Sequence, residues 1–231
     1  MEVGCHAQKE MEKKRRVLVV TSVDSERDAI LRGIGETNSE TGSVDVFVAG
    51  VGVVRAAAAT ALALSRTGYD LVVNAGIAGG FPSQAEVGQI VLASEIVAAD
   101  LGAETADGFC RLDQLNLGPS RIHTDITLVS QLENALRMRG FPVKTGPVLT
   151  VSTVTGTKET ADEMALRVPG AAAEGMEGFG VATAAQLKGL PVLEIRAVSN
   201  LVGPRNRSAW RIDEALRVLE NACEVLMEVL I

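Results

Sequence analysis

Two kinds of hydrophobic pattern alternate along this chain. Short β-branched runs bounded by charge or glycine stand at 17–21 (VLVVT), 44–49 (VDVFVA) and 69–74 (YDLVVN), and they read as buried strands. Between them lie helical patterns at 22–35, where Ser22, Asp24 and Ser25 are plausible N-caps, and at 56–68, which is built largely of alanine. A turn and strand follow over 86–94 and stay extended through 95–104. Residues 105–123 read as a polar loop, 125–140 as an amphipathic helix ended by Gly140, and 147–155 as a strand leaving through Gly156 and Thr157. A surface helix over 158–168, a small-residue helix over 181–187, a β-rich run over 192–200 and a helix over 212–231 complete the series. The last helix has apolar residues at three- and four-residue spacing and is expected to cover the sheet. Strands alternating with helices predict an α/β domain. It is expected to span 17–231 as one unit, with 1–16 as a disordered arm in which Met11 is an alternative start.

Such folds place chemistry at strand ends and the loops beyond them. Three places stand out. Gly50-Val51-Gly52 joins a strand to an alanine-rich helix, and 75–80 (AGIAGG) reads as a second glycine loop ending the third strand. Two such loops at strand ends can line one crevice, with backbone N–H groups close to a ligand. The GVG lacks the spacing of a dinucleotide fingerprint, so NAD is not expected. The third place is 171–203, where Glu174 and Glu177 sit among Gly, Ala and Met and a strand ends on Asn200. Spacing alone favours plainer roles here: Glu177 capping a helix, Asn200 opening a turn, and Glu26 pairing with a helix dipole.

Composition narrows the classes. The 231 residues are 47% hydrophobic with 23 glycines and only 3% aromatics, so helices and sheet are expected to pack closely through small side chains. A net charge of -7 without a basic, aromatic-studded stripe argues against a nucleic-acid partner. Three scattered cysteines fit a reducing cytoplasm, and His6 and His123 make a histidine-rich metal site improbable; no metal or cofactor is expected. No apolar run approaches the roughly 18–20 residues of a bilayer span, and the charged N-terminus lacks a signal peptide's apolar stretch.

Six segments in order, SVDSE, AGVGVVRAA, NAGIAGG, VGQIV, EGMEG and RAVSN, are each weak alone but together resemble the nucleosidase branch of the purine nucleoside phosphorylase/nucleosidase superfamily. The likeness runs from about residue 17 to the C-terminus. It implies a three-layer α/β/α fold with a twisted mixed central sheet, a nucleoside substrate cleaved at its N-ribosidic bond, and a homo-oligomer. By resemblance Glu26 handles water, Glu177 accepts from ribose hydroxyls, Met176 packs on the sugar, and Asn200 meets the base; these are the catalytic and ribose-binding candidates. Val51, Gly52, Gly76, Ile77, Ser152, Thr153 and Gly175 complete the expected substrate-binding set.

Departures from the family sharpen this. Adenine-directed nucleosidases carry Asp where Asn200 stands; an amide offers both donor and acceptor, which suits a 6-oxopurine. The run RAVSNLVGPRNR resembles the futalosine-hydrolysing subgroup of the menaquinone route, with hypoxanthine as leaving base. Phosphorylase relatives usually carry Arg where Asn74 stands, which favours hydrolysis, although Arg55 is a candidate anion contact. VSTVTGT supplies no aromatic for the base, leaving Phe179 or an aliphatic. Glu174 divides evenly between supporting the site and a solvated acid. Arg205 and Arg207 are candidates for a carboxylate on the 5′ substituent, against pairing with surface acids, and Trp210 is expected to anchor the last helix. An adenine nucleosidase, a phosphorylase and a non-catalytic nucleoside binder remain the alternatives; base preference and phosphate dependence separate the first two, and the presence of both Glu26 and Glu177 argues against the third.

Overall fold

The structure is a computed structural model that describes residues 14–35 and 42–231. In chain order it contains β1 (Arg15–Thr21), α1 (Asp24–Ile34), β2 (Gly42–Val48), α2 (Val53–Arg66), β3 (Leu71–Gly80) and β4 (Ile90–Ala98). A hairpin β5 (Gly102–Thr105) and β6 (Gly108–Arg111) follows, then β7 (Arg121–His123), α3 (Ile126–Met138), β8 (Val143–Thr150) and α4 (Lys158–Arg167). The chain closes with β9 (Ala173–Gly175), α5 (Gly178–Leu187), β10 (Val192–Leu201), a short 3-10 turn (Arg207–Ala209) and α6 (Ile212–Leu230). The expected arm lies outside the described residues over 1–13, and Arg15 and Arg16 belong to the first strand.

The eight-stranded sheet is mixed and runs β2-β1-β3-β10-β4-β8-β9, with β7 beside β4. It also closes on itself, because β9 returns antiparallel onto the end of β3. The long central strand is therefore shared. Along one edge β3 pairs with β1 through Val17–Val20 against Leu71–Asn74, and with β9 only at Gly79 and Gly80. Along the other it pairs in parallel with β10. Between Asn74 and Gly79 the first edge has no strand neighbour, and the site is built at that opening.

Strand alternation sorts the side chains. Val17 and Val19, Leu71 and Val73, and Leu193 and Ile195 join one core with α1, α3 and α6. Leu18 and Val20, Val72 and Ala78, and Val192 and Val198 face the other core, under α2 and α5. These are the outer layers of the expected α/β/α arrangement. A third cluster, including Phe81, Leu149, Met164 and Val202, fills the space beneath α4.

Four expectations change. AGIAGG at 75–80 is strand, because β10 supplies hydrogen-bonding partners as far as Gly80. Strand β8 begins at Val143, where residues 143–146 pair with β4, and it ends at Thr150 instead of 155. The polar stretch 105–123 is not all loop, since it holds β6 and β7. Helix α1 is capped by the backbone of Val23, and none of Ser22, Asp24 or Ser25 holds that position.

Close crossing of α2 and α5 depends on one glycine. A Cβ on Gly180 would stand 2.3 Å from the Val53 carbonyl oxygen and 3.0 Å from the Ala57 nitrogen, both backbone atoms that cannot rotate away. Gly180→Ala is expected to lower stability by about 2–3 kcal/mol in a urea melt. It should also reduce activity, because the N-termini of these two helices carry Gly52 and Glu177.

Candidate active site

Glu26 is the third residue of α1, yet it is only 2% exposed. Its Oε2 accepts from the Thr21 hydroxyl at 2.7 Å, the Ser22 hydroxyl at 2.6 Å, and the backbone N–H groups of Ser22 at 3.0 Å and Val23 at 3.3 Å. Its Oε1 accepts from Ile77 N–H at 2.9 Å, at the point where β1 has ended and β9 has not begun. The carboxylate thus takes the place of a missing strand. Backbone N–H groups thus donate to both oxygens of Glu26.

Glu177 is the N-cap residue of α5: its backbone carbonyl accepts from Gly180 and Val181 N–H, while its side chain makes no capping bond to that helix. Its Oε1 accepts from Gly52 N–H at 3.1 Å and its Oε2 from Met176 N–H at 3.3 Å. Glu177 thus holds the expected capping position through its backbone, and its side chain ties the two helix entrances together. Gly52 reaches it with a φ of 95°, which glycine adopts without strain.

Beneath both acids lies Arg196, fully buried on β10. Its Nε donates to Glu194 Oε1 at 2.8 Å, its Nη1 to the Ile77 carbonyl at 3.4 Å, and its Nη2 stands 3.7 Å from Glu177 Oε2. A Cβ on Gly76 would meet Glu26 Oε1 at 2.5 Å and Arg196 Nη1 at 2.8 Å, so the bare backbone there lets acid and base approach. Asn74 donates its amide to Glu194 at 3.0 Å. Burial alone would lower the Arg196 pKa, but Glu194, Glu177 and Glu26 together raise it. Burial raises Glu194 as well, against the opposing pull of Arg196.

A cavity of about 340 Å³ opens above this network. Glu26, Val51, Ile77, Gly175, Met176, Glu177 and Asn200 all line it, which brings together most of the predicted set. Gly52 and Gly76 support it from behind. Ser152 and Thr153 are not among its lining residues: Ser152 N–H is held by Asp100 at 2.6 Å, and Thr153 faces the adjoining depression under β5 and β6. Val154 and Thr155 take their place because β8 ends earlier than expected. Asn200 accepts from the Ser199 hydroxyl at 2.8 Å and donates to the Leu201 carbonyl at 3.0 Å, leaving one N–H and one lone pair of its amide for a ligand. Phe179 is buried in the core under α2 and α5, so the apolar wall is Val154, Val202, Met176 and Trp210. Trp210 therefore walls the site in addition to leading into α6.

Glu174 is buried, not solvated. It accepts from Thr155 N–H at 2.9 Å and the Thr155 hydroxyl at 2.5 Å, and burial raises its pKa in spite of those two bonds. Sequence reasoning missed Glu194 and Arg196. Their signal was two charges, two residues apart, on one face of an otherwise apolar strand. Arg55 is exposed and is not among the cavity residues.

A family model described as "Phosphorylase superfamily" matches residues 16–231. The chain is 48% identical over 230 residues to a futalosine hydrolase of Streptomyces coelicolor, covering 93% of this chain and 96% of that protein. It is 45% identical over 218 residues to a futalosine hydrolase of Acidothermus cellulolyticus, covering 90% and 89%. Among solved structures, the native futalosine hydrolase of Helicobacter pylori shares the fold with a TM-score of 0.81 at 17% identity, covering 93% and 97%.

Two consequences are measurable. Glu194→Leu removes one partner of a buried pair, and unfolding free energy is expected to fall by about 3 kcal/mol. Glu174 holds its proton more tightly in the folded state than in the unfolded chain, so its contribution is complete below the ordinary value of 4.5 and is lost as pH rises through the raised value. Glu174→Gln keeps acceptor and donor for Thr155 without the charge. Denaturation midpoints of this variant, relative to the unaltered protein, should rise as the pH is taken from about 4.5 to 7.5.

Proposed function

The chain belongs to the phosphorylase superfamily, and from that premise we propose that it hydrolyses the N-ribosidic bond of futalosine and releases hypoxanthine. It is an N-glycosyl hydrolase by its close relatives. The observation that carries the base assignment is Asn200 lining the same cavity as Glu26 and Glu177. Its free N–H serves a 6-oxo group, and its free lone pair accepts a hydrogen bond from N7–H of the departing base, which takes its proton from solvent as the bond breaks.

The roles divide by position. Glu177, fixed by Gly52 and Met176, accepts from the ribose hydroxyls and favours the positive charge that grows on the sugar. Glu26 takes the proton of the water that attacks C1′. Arg196 positions both carboxylates from below. Hydrolysis is favoured over phosphorolysis because this guanidinium lies among Glu26, Glu177 and Glu194, whose carboxylates repel an anion. Asn74, at the position that bears Arg in phosphorylases, is buried on Glu194. The resemblance and the scattered cysteines support a cytoplasmic homo-oligomer; among the described residues, no helix is long and apolar enough to cross a membrane.

Chromatography of bases released from futalosine and its 6-amino counterpart, in phosphate-free buffer, tests the reading. Hypoxanthine from futalosine is expected, with the 6-amino substrate much slower. Preference for the amino compound moves the enzyme to the adenine nucleosidases, and a requirement for phosphate makes it a phosphorylase. Glu177→Gln should lower kcat about a hundredfold or more while the unfolding midpoint moves little; unchanged turnover would remove Glu177 from its role.

A further inference from the structure

We propose that Thr155 reads the base beside Asn200, its hydroxyl accepting N1–H of a 6-oxopurine, and that the buried Glu174 holds that hydroxyl in the accepting direction. The proposal rests on the base assignment above and deepens it. Thr155 is then a specificity-determining residue, and Glu174 is a positioning residue that acts through it.

The sheet sets the two halves of this readout in one row. Gly79 of β3 pairs with Asn200 of β10 on one side and with Glu174 of β9 on the other. Strands two apart are separated by about 10 Å, so side chains from both can meet one flat ring between them. Asn200, Gly79, Glu174 and Thr155 all line the same cavity, and Gly79 has no side chain to fill the space. Along one edge of a purine N7, the substituent at C6 and N1 follow in order. With Asn200 on the first two, N1 is the next atom to need a partner.

Glu174 is only 5% exposed, and both of its oxygens are spent on one residue. Oε1 accepts from Thr155 N–H at 2.9 Å and Oε2 from the Thr155 hydroxyl at 2.5 Å, which fixes the rotation of that side chain. The loop is tied from its far side as well, since the Gly156 carbonyl accepts from Arg205 N–H at 3.1 Å. A neutral amide would hold the loop equally well. What a carboxylate adds is direction: it has no hydrogen to give, so the single hydrogen of the hydroxyl is committed to it and only lone pairs face the ligand. A 6-oxopurine carries a hydrogen on N1 and satisfies them. A 6-aminopurine has a lone pair there, and two acceptors would be left facing each other away from water.

The test compares kcat/KM for base release from futalosine, its 6-amino counterpart and its N1-methyl derivative, which keeps O6 and N7 but has lost the N1 hydrogen. Assays are run at about pH 8.5, because burial and the charge of Asp100 raise the pKa of Glu174 and its carboxylate must be ionised. Thr155→Val keeps the shape without the hydroxyl. It is expected to lower the preference for futalosine over both analogues about tenfold or more, whereas Thr155→Ser retains it. Glu174→Gln turns an amide N–H toward the hydroxyl oxygen and frees the hydroxyl hydrogen for the N1 lone pair of a 6-aminopurine, so its preference for futalosine over the amino substrate should also fall. Unchanged preference in Thr155→Val, or an equal fall in Thr155→Ser, overturns the readout by Thr155. Unchanged preference in Glu174→Gln overturns the positioning by Glu174. An unaltered enzyme that prefers the 6-amino substrate overturns the base assignment itself, so the two failures are told apart.

Discussion

A single guanidinium, sealed from water, holds the site together. Arg196 sits under the opening in the sheet with Glu194 in direct contact, Glu177 at 3.7 Å and the charge of Glu26 acting on it. Placing such charges in a low-dielectric interior is costly, and the mutual attraction offsets that cost only when the geometry is held firmly. The closed sheet does the holding. β10 is fixed by β3 on one side and β4 on the other, so Glu194 and Arg196 project from a strand that cannot shift. Asn74 on the neighbouring strand then restrains Glu194, and the carbonyl of Ile77 restrains Arg196. Each acid of the site is tied to a different element, and Arg196 is the group they have in common.

The gap in strand pairing along β3 is what admits chemistry to an otherwise packed core. A continuous ladder would have occupied the Ile77 N–H with a neighbouring strand. Because β1 diverges after Asn74 and β9 joins only at Gly79, that donor is available to Glu26. Gly76 supplies the room, since any side chain there would enter the space between Glu26 and Arg196. The two helices that enter from above contribute through their N-cap residues, Gly52 and Glu177. Fold and site are thus one construction: the sheet splits, a carboxylate fills the split, and the cavity lies over it.

Much of this was legible in the sequence because it depends on local pattern. The helices at 125–140, 158–168 and 212–231 follow from apolar spacing, and they form nearly where that spacing places them. Glu26, Glu177 and Asn200 were found through short ordered segments that resemble a family. What escaped depends on contacts distant along the chain. AGIAGG looks like a loop until β10, more than a hundred residues later, pairs with it. Thr155 replaces Ser152 and Thr153 at the cavity because Glu174 anchors it and Asp100 draws Ser152 away, and neither contact leaves a trace in spacing. Arg196 was hidden for the opposite reason. A charge inside a β-rich run reads as an exception to the pattern, and only its partners reveal its purpose.

The charge balance at the centre finally explains why this arrangement suits one reaction. Glu26, Glu177 and Glu194 surround one arginine, so the pocket is short of positive charge when empty. Burial raises the pKa of Glu194, against the opposing pull of Arg196. In the proposed mechanism the oxocarbenium-like sugar of N-ribosidic cleavage develops its positive charge beside Glu177, where the carboxylates favour a cation. Interactions that strengthen as that charge grows lower the barrier, whereas contacts present equally in the ground state do not. A phosphate ion would add negative charge to the same place. Water is neutral, and it is the nucleophile this electrostatic field admits.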